Sequence, residues 1–285
     1  MNSIVVATDF SPNAMHAAHR AALIARDTGA TRLELLHVVA DRSRWTRRRV
    51  SSARSAARLE NARTRLGVLA SSLRAATATN VDCRGVVGDR SATIAAATEA
   101  ADLLVVGAPA TRALLDPMLG FMGRLLRRAR APILVVRRPP ASAYRRALVA
   151  VDLAAVSDQA FARARTVAPV ARFDVVHAYR APYEGRLQYA GASEHAIELH
   201  RSAALRSATD GMRDVLRSQS ALLRPRAHVV HGHPASAVLV KERELDAELL
   251  IVHRPVKTLF AEFLMPSVTA RLLEEAEGDV LVVPD

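Results

Sequence analysis

The side chains that invite a chemical reading are His177 with the close set His228, His231 and His233, the serines Ser11, Ser91 and Ser267, the lone Cys83, and an arginine run from Arg42 to Arg65. His231 and His233 share one strand face if the strand carrying them continues that far. With His177 from a neighbouring strand they would give three imidazoles, enough to hold zinc; the alternative is a set of polar side chains on the wet rim of a sheet. No carboxylate or thiolate stands at ligand spacing, so no resident metal is expected. Ser11, Ser91 and Ser267 each open a predicted helix and read as N-caps rather than nucleophiles. No Gly-x-Ser-x-Gly elbow is present. Cys83 falls within a predicted strand and reads as an inert buried thiol. A single cysteine also excludes an internal disulfide and a Cys-rich zinc site. The residues therefore favour a binding module over an enzyme.

Charge is unevenly spread. The formal net charge is +12, and Lys241 and Lys257 are the only lysines among 40 basic residues. Residues 1–140 hold 22 basic and 10 acidic side chains, whereas residues 141–285 hold 18 of each, so any anionic partner belongs to the first half. Aromatic residues are 4% of the chain, too few for a stacking set, and nucleic acid is not the expected partner. The arginine run reads either as a basic helix that meets phosphate, lipid headgroups or an acidic protein, or as a solvated helix face whose stems cover apolar surface. No apolar run approaches the roughly 20 residues that span a bilayer, and the start lacks a basic region followed by an apolar one. The cytoplasm is the expected location.

The elements that position these groups alternate. Ile4–Thr8 is a β-branched apolar run, hence a buried strand, followed by Asp9 and then Ser11-Pro12, an N-cap with proline at the first helical position. Asn13–Thr28 is an alanine-rich helix that Gly29 is placed to end. Strands are predicted at Leu33–Val39, Val81–Val87, Leu103–Val106 and Ile133–Val136, and helices at Ser43–Ala76, Ser91–Ala100 and near Phe121–Arg130. Strand and helix in strict alternation imply crossover connections and a parallel sheet.

Arg137-Arg138-Pro139-Pro140 breaks the pattern, which then restarts. ALVAVD (Ala147–Asp152) repeats IVVATD (Ile4–Asp9), and VVHAY (Val175–Tyr179) repeats LLHVV (Leu35–Val39). VVHG (Val229–Gly232), ELLIVH (Glu248–His253) and DVLVVP (Asp279–Pro284) repeat the remaining three strands in the same order. One α/β unit has been duplicated, giving domains at 1–140 and 141–285, each expected to fold around its own sheet.

The segments VVATDFSPNAMHAAHRAALIA, LLHVV, VVGDRSATIAAATEAADLLVVGAPA and ARAPILVVRR resemble the universal stress protein family, and the layout is most similar to its tandem members. The resemblance implies an α/β fold of two Rossmann-like, adenine nucleotide alpha hydrolase-like domains. Each would be a five-stranded parallel sheet of order 3-2-1-4-5 flanked by helices. It also implies that the domains pair as a pseudo-dimer through their fifth strands, here Ile133–Val136 and Val280–Val283.

Many members bind ATP through Gly-x2-Gly-x9-Gly-Ser/Thr, in which glycines admit the phosphates to backbone N–H groups and a hydroxyl completes the cradle. On that pattern Gly107 and Gly120 match two glycines, Ala110 replaces the other, Pro109 lacks a donor, and Phe121 and Gly123 occupy the hydroxyl positions. Thr8 and Asp9 match the residues ending the first strand, and Val38 matches the one whose backbone meets adenine; alternatively Asp9 caps the turn and Val38 is core. Arg124, one turn into the following helix, could supply part of the missing attraction. The second copy keeps Asp152 and the hydroxyls Ser267 and Thr269, but has His253, Val256 and Pro266 in place of glycines. The expected function is a cytoplasmic stress-response binding module with a degraded ATP site in the first domain, any magnesium arriving with the nucleotide. The competing class is a nucleotide-independent protein whose basic first half docks an acidic partner; a slow ATPase ranks last.

Overall fold

The computed structural model describes residues 1–40, 51–77, 79–109, 120–156, 158–223, 225–254 and 268–284. In the first copy β1 (Ser3–Ala7), α1 (Pro12–Thr28), β2 (Arg32–Ala40), α2 (Ser51–Thr77), β3 (Val81–Gly88), α3 (Arg90–Ala97), β4 (Leu103–Gly107), α4 (Phe121–Arg128) and β5 (Ile133–Val136) follow one another. The second copy runs β6 (Arg146–Ala150), α5 (Asp158–Val167), β7 (Arg172–Tyr179), α6 (Glu184–Tyr189), α7 (Glu194–Leu223), β8 (Arg226–His231), α8 (Pro234–Glu244), β9 (Leu249–Arg254), α9 (Val268–Glu275) and β10 (Asp279–Pro284). The predicted helix from Ser43 begins, among the described residues, at Ser51, and its Ser43–Val50 part lies outside them, as does Arg42.

Local chemistry sets the helix ends. The Ser11 hydroxyl accepts from the Ala14 N–H at 3.3 Å with Pro12 in the first turn, and Gly29 ends α1 at φ 66°, a left-handed position that glycine adopts without strain. Asp89, not Ser91, caps α3: its carboxylate accepts from Ala92 N–H at 2.7 Å and from the Ser91 hydroxyl at 2.9 Å. Ser91 thus supports the cap instead of forming it.

The strands lie in the order β3-β2-β1-β4-β5-β10-β9-β6-β7-β8. Each copy keeps the parallel order 3-2-1-4-5, and β5 and β10 join antiparallel with Leu134 opposite Leu281. The expectation of a separate sheet for each copy is therefore corrected: the two sheets are fused into one. The physical reason lies in β5 and β10 themselves, whose Ile133–Val136 and Val280–Val283 are all buried. As free edges they would expose apolar side chains beside unpaired N–H and C=O groups, and pairing removes both liabilities.

Alternation along the strands splits the core into two layers. Ile4 and Val6 face a cluster built from α1, α2, α5 and α7, while Val5 faces one built from α3, α4, α8 and α9. The outer edges are β3 and β8. Cys83 lies on β3 and is exposed, its Sγ donating to the Leu66 carbonyl at 3.5 Å. The buried thiol expected from the sequence is corrected, because β3 is an edge strand that pairs, among the described residues, with β2 alone.

One carboxylate ties the copies together. Asp279 on β10 accepts from the Arg137 N–H at 2.8 Å and the Tyr144 hydroxyl at 2.6 Å, and Arg20 of α1 approaches it at 3.3 Å. The Arg20 guanidinium also lies 3.9 Å over the Tyr144 ring and donates to the Ser142 carbonyl at 2.7 Å. The charge is buried but surrounded by donors, the condition under which burial is tolerated.

Candidate functional site

A cavity of about 390 Å³ opens at the C-terminal ends of β1 and β4. Thr8, Asp9, Val38, Gly107 and Phe121 all line it, as do Asn13, Arg90 and Met122. Chain order reverses here, since β1 lies between β2 and β4, and such a switch point leaves a crevice between strand ends. Gly120 is the N-cap residue of α4, next to Phe121, and makes no side-chain cap bond. Ala110 lies outside the described residues. The cavity therefore gathers most of the first-copy positions that the sequence singled out.

Several short bonds hold its floor. The Thr8 N–H donates to the Leu36 carbonyl at 2.9 Å, and the Thr8 hydroxyl accepts from the Phe10 N–H at 3.0 Å. The Asp9 carboxylate accepts from the Ser11 N–H at 2.9 Å. Partial burial by itself raises the Asp9 pKa, but hydrogen bonds from Ser11 and the charge of Arg90 outweigh it and hold the carboxyl below its ordinary value. His37 donates from Nδ1 to the Thr8 carbonyl at 2.7 Å, and its repeat His177 donates likewise to the Val151 carbonyl at 3.0 Å. Both histidines close the rim of β1 or β6.

Gly107 has a packing reason to be glycine. A Cβ there would stand 2.5 Å from the Asn13 carbonyl carbon and 2.6 Å from the Ala14 nitrogen. The end of β4 is pressed against the start of α1, and Asn13 Nδ2 donates to the Ala108 carbonyl at 2.8 Å. Val38 is 4% exposed, so it serves the core and lines the cavity together. Arg124 reaches toward α3, with Nε donating to the Ser91 hydroxyl at 3.4 Å. Sequence reasoning missed Arg90; its signal was a cation opening the helix after the third strand, where side chains face the crevice.

The second copy is built differently. Asp152 accepts from the Ala154 N–H at 3.0 Å, repeating the turn that Asp9 makes, and Thr269 is buried in the first turn of α9. Ser267, Val256 and Pro266 lie outside the described residues. A cleft of about 780 Å³ in this copy lies instead at the ends of β7 and β8, among Arg180, Glu184, His231 and His233. Asp152 and Thr269 are not part of it. The histidines have other partners: His228 meets Asp174 at 2.8 Å, His231 meets Glu184 at 3.1 Å, and His233 is the N-cap residue of α8. Among the described residues no three ligating side chains form a metal cluster.

Two fused 3-2-1-4-5 sheets with a crevice at the switch point define a tandem α/β protein of the Rossmann-like class. The profile of the universal stress protein family matches residues 1–137 and again residues 143–284, and the chain belongs to that family as a tandem member. Among solved structures it is similar to a universal stress protein from Archaeoglobus fulgidus, at 17% identity and TM-score 0.71, covering 99% of this chain and 98% of that one. It is also similar to a universal stress protein from Pseudomonas aeruginosa, at 20% identity and TM-score 0.66, covering 100% of this chain and 93% of that one. No curated protein matches the sequence. Among the described residues no helix is long and apolar enough to cross a membrane.

Proposed function

We propose that the first copy binds an adenine nucleotide in the 390 Å³ cavity and that the protein acts as a stress-response binding module of the cytoplasm, without turnover. The observation that carries this reading is the convergence of Thr8, Asp9, Val38, Gly107 and Phe121 on one cavity. Its size falls within the range of roughly 300–1,000 Å³ used for small ligands, and its lining is largely apolar with a few polar groups. Val106, Ile94, Met122 and Phe121 offer apolar walls for a base, while Asp9, Asn13 and Arg90 offer directional contacts. Ser11 caps α1 and the Ser91 hydroxyl donates to the Asp89 carboxylate, which leaves both poorly placed as nucleophiles. Magnesium would enter with the nucleotide rather than reside in the protein.

The second copy is read as a diverged partner domain that completes the shared sheet; Asp152 and Thr269 then hold structure rather than ligand. The domain limits 1–140 and 141–285 are retained in this reading. The experiment is denaturation of freshly purified protein with mass analysis of what it releases, alongside thermal melting with and without millimolar ATP–Mg. Released adenine nucleotide, or a melting temperature raised by ATP, supports the reading. Clean protein with an unmoved melting temperature rejects it. Phosphate release above that of a Gly107→Ala control would reject the absence of turnover.

A further inference from the structure

The two copies exchange more than their edge strands. Arg254, the last residue of β9, reaches out of the second copy, and its Nη1 donates to the Leu126 carbonyl of α4 at 2.6 Å. The return contact comes from Arg137, which follows β5 and donates through Nη2 to the Leu273 carbonyl of α9. Leu126 and Leu273 stand 147 residues apart, the spacing that relates Leu134 to Leu281. Each copy's arginine therefore meets the same place in the last helix of the other. Both carbonyls belong to a final helical turn, where no intrahelical donor is left and a positive charge is favoured.

The Arg254 contact is built into the junction of the copies. With Leu126, Ala129, Ile133, Val282 and Pro284 it surrounds a gap of about 10 Å³, no more than one water needs, and its Nε is out of contact with solvent. In the first copy the same place of the repeat holds Ala108, which stays within its own copy. The Ala108 N–H donates to the Val136 carbonyl at 2.7 Å, and its carbonyl accepts from Asn13. The position that closes the first copy onto α1 is thus turned, in the second copy, toward its neighbour's helix. That helix needs outside support. It has eight residues, too few to be stable alone, and its N-cap Gly120 supplies no side-chain bond. Met122 and Leu125 are buried, and Arg124 ties α4 to Ser91 of α3 at 3.4 Å. Arg254 is the tie from the second copy.

We propose that Arg254 is a positioning residue for the first-copy nucleotide site. The second copy does not touch the ligand; it sets where α4 places two walls of the 390 Å³ cavity, Phe121 and Met122. Leu126 stands one helical turn, about 6 Å, beyond Met122, so a displacement of its carbonyl is passed to those walls by a helix that moves as a body. The affinity of one copy is then set partly by a side chain of the other, a coupling carried by a named bond and a rigid element. The proposal rests on nucleotide binding by the first copy.

The test uses the full chain and compares wild type with three variants. Arg254→Met keeps an apolar stem and removes the donor, Arg254→Lys keeps a charged donor, and Arg137→Met removes the matching bond from α9. Calorimetric titration with ATP and with adenosine reads the site, and hydrogen exchange of the unliganded protein reads the helices. Arg254→Met is expected to weaken both ligands about three- to tenfold, because the displaced walls are those offered to the base, and Arg254→Lys to recover part of the loss. Arg137→Met, which loosens the same junction from the other side, is expected to change either affinity by less than about twofold. In exchange, Arg254→Met is expected to speed the amides from Arg124 to Ala129 about threefold or more and to leave α9 within about twofold, with Arg137→Met doing the reverse. Unchanged affinity in Arg254→Met, or an equal loss in Arg137→Met, overturns the proposal. If wild type binds neither ATP nor adenosine, the nucleotide reading fails by itself. Exchange then decides the contact alone: faster α4 amides in Arg254→Met keep Arg254 as the residue that holds α4, and unchanged ones remove it.

Discussion

Leu134 of β5 stands directly opposite Leu281 of β10, and the two are the same position of the repeat. The antiparallel junction is therefore self-matched about its own centre, as an interface between identical subunits would be. Both leucines are 0% exposed. Leu134→Ala and Leu281→Ala are each expected to cost about 2–5 kcal/mol, since neither site can collapse without moving the other copy. Urea denaturation should show the double variant departing from the sum of the two, because the residues touch.

The Asp279 cluster predicts a graded series. Tyr144→Phe removes one 2.6 Å bond from a carboxylate that keeps its other donors, and is expected to cost about 1–3 kcal/mol. Asp279→Ala leaves Arg20 buried beside an uncharged residue and is expected to cost about 3–5 kcal/mol. Equal losses in chemical denaturation would contradict the assignment of Asp279 as the centre of the cluster.

Two carboxylates predict opposite pH behaviour. Asp89 is held below its ordinary value by the Ala92 N–H first and by Ser91 second, so its contribution is present above pH 3.8 and is lost as pH falls through the lowered native value. Asp89→Ala should cost about 0.5–2 kcal/mol at pH 7, and the deficit should shrink in acid. Glu242 is raised by burial, although Glu277 and Gly278 N–H groups donate to it at 3.0 and 2.7 Å. A raised acid favours the native state below pH 4.5 and loses that advantage as pH rises through its native value. Glu242→Gln keeps an acceptor oxygen and is expected to melt at or above the wild-type temperature at pH 7, but not at pH 4.

Gly107→Ala should couple stability to the site. The added methyl meets the backbone of Asn13 and Ala14, which cannot swing aside as a side chain would. A cost of about 1–3 kcal/mol is expected from this overpacking, together with weaker ATP binding as α1 shifts away from β4. Unchanged melting would show that the contact relaxes freely.

Much of this architecture was legible because apolar β-branched runs have few alternatives: IVVAT and ILVV could hardly be other than buried strands, and their recurrence exposed the duplication. Asp9, Val38 and Gly107 could be placed because strand ends fix their direction. What the sequence concealed depends on neighbours far along the chain. Cys83 looked buried because its strand pattern does not reveal an edge, and Ser91 looked like a cap because Asp89 stands only two residues earlier. The separate sheets became one because edge pairing is decided between residues 147 apart, such as Leu134 and Leu281. Arg65 and Phe10 meet only through the crossover of α2, which no local spacing records.

The most direct measurement is the stoichiometry of ATP binding to the full chain by isothermal titration calorimetry. The account predicts a single saturable site per chain, abolished or sharply weakened by Gly107→Ala. Absence of heat at millimolar ATP, or two equivalent sites per chain, would contradict it.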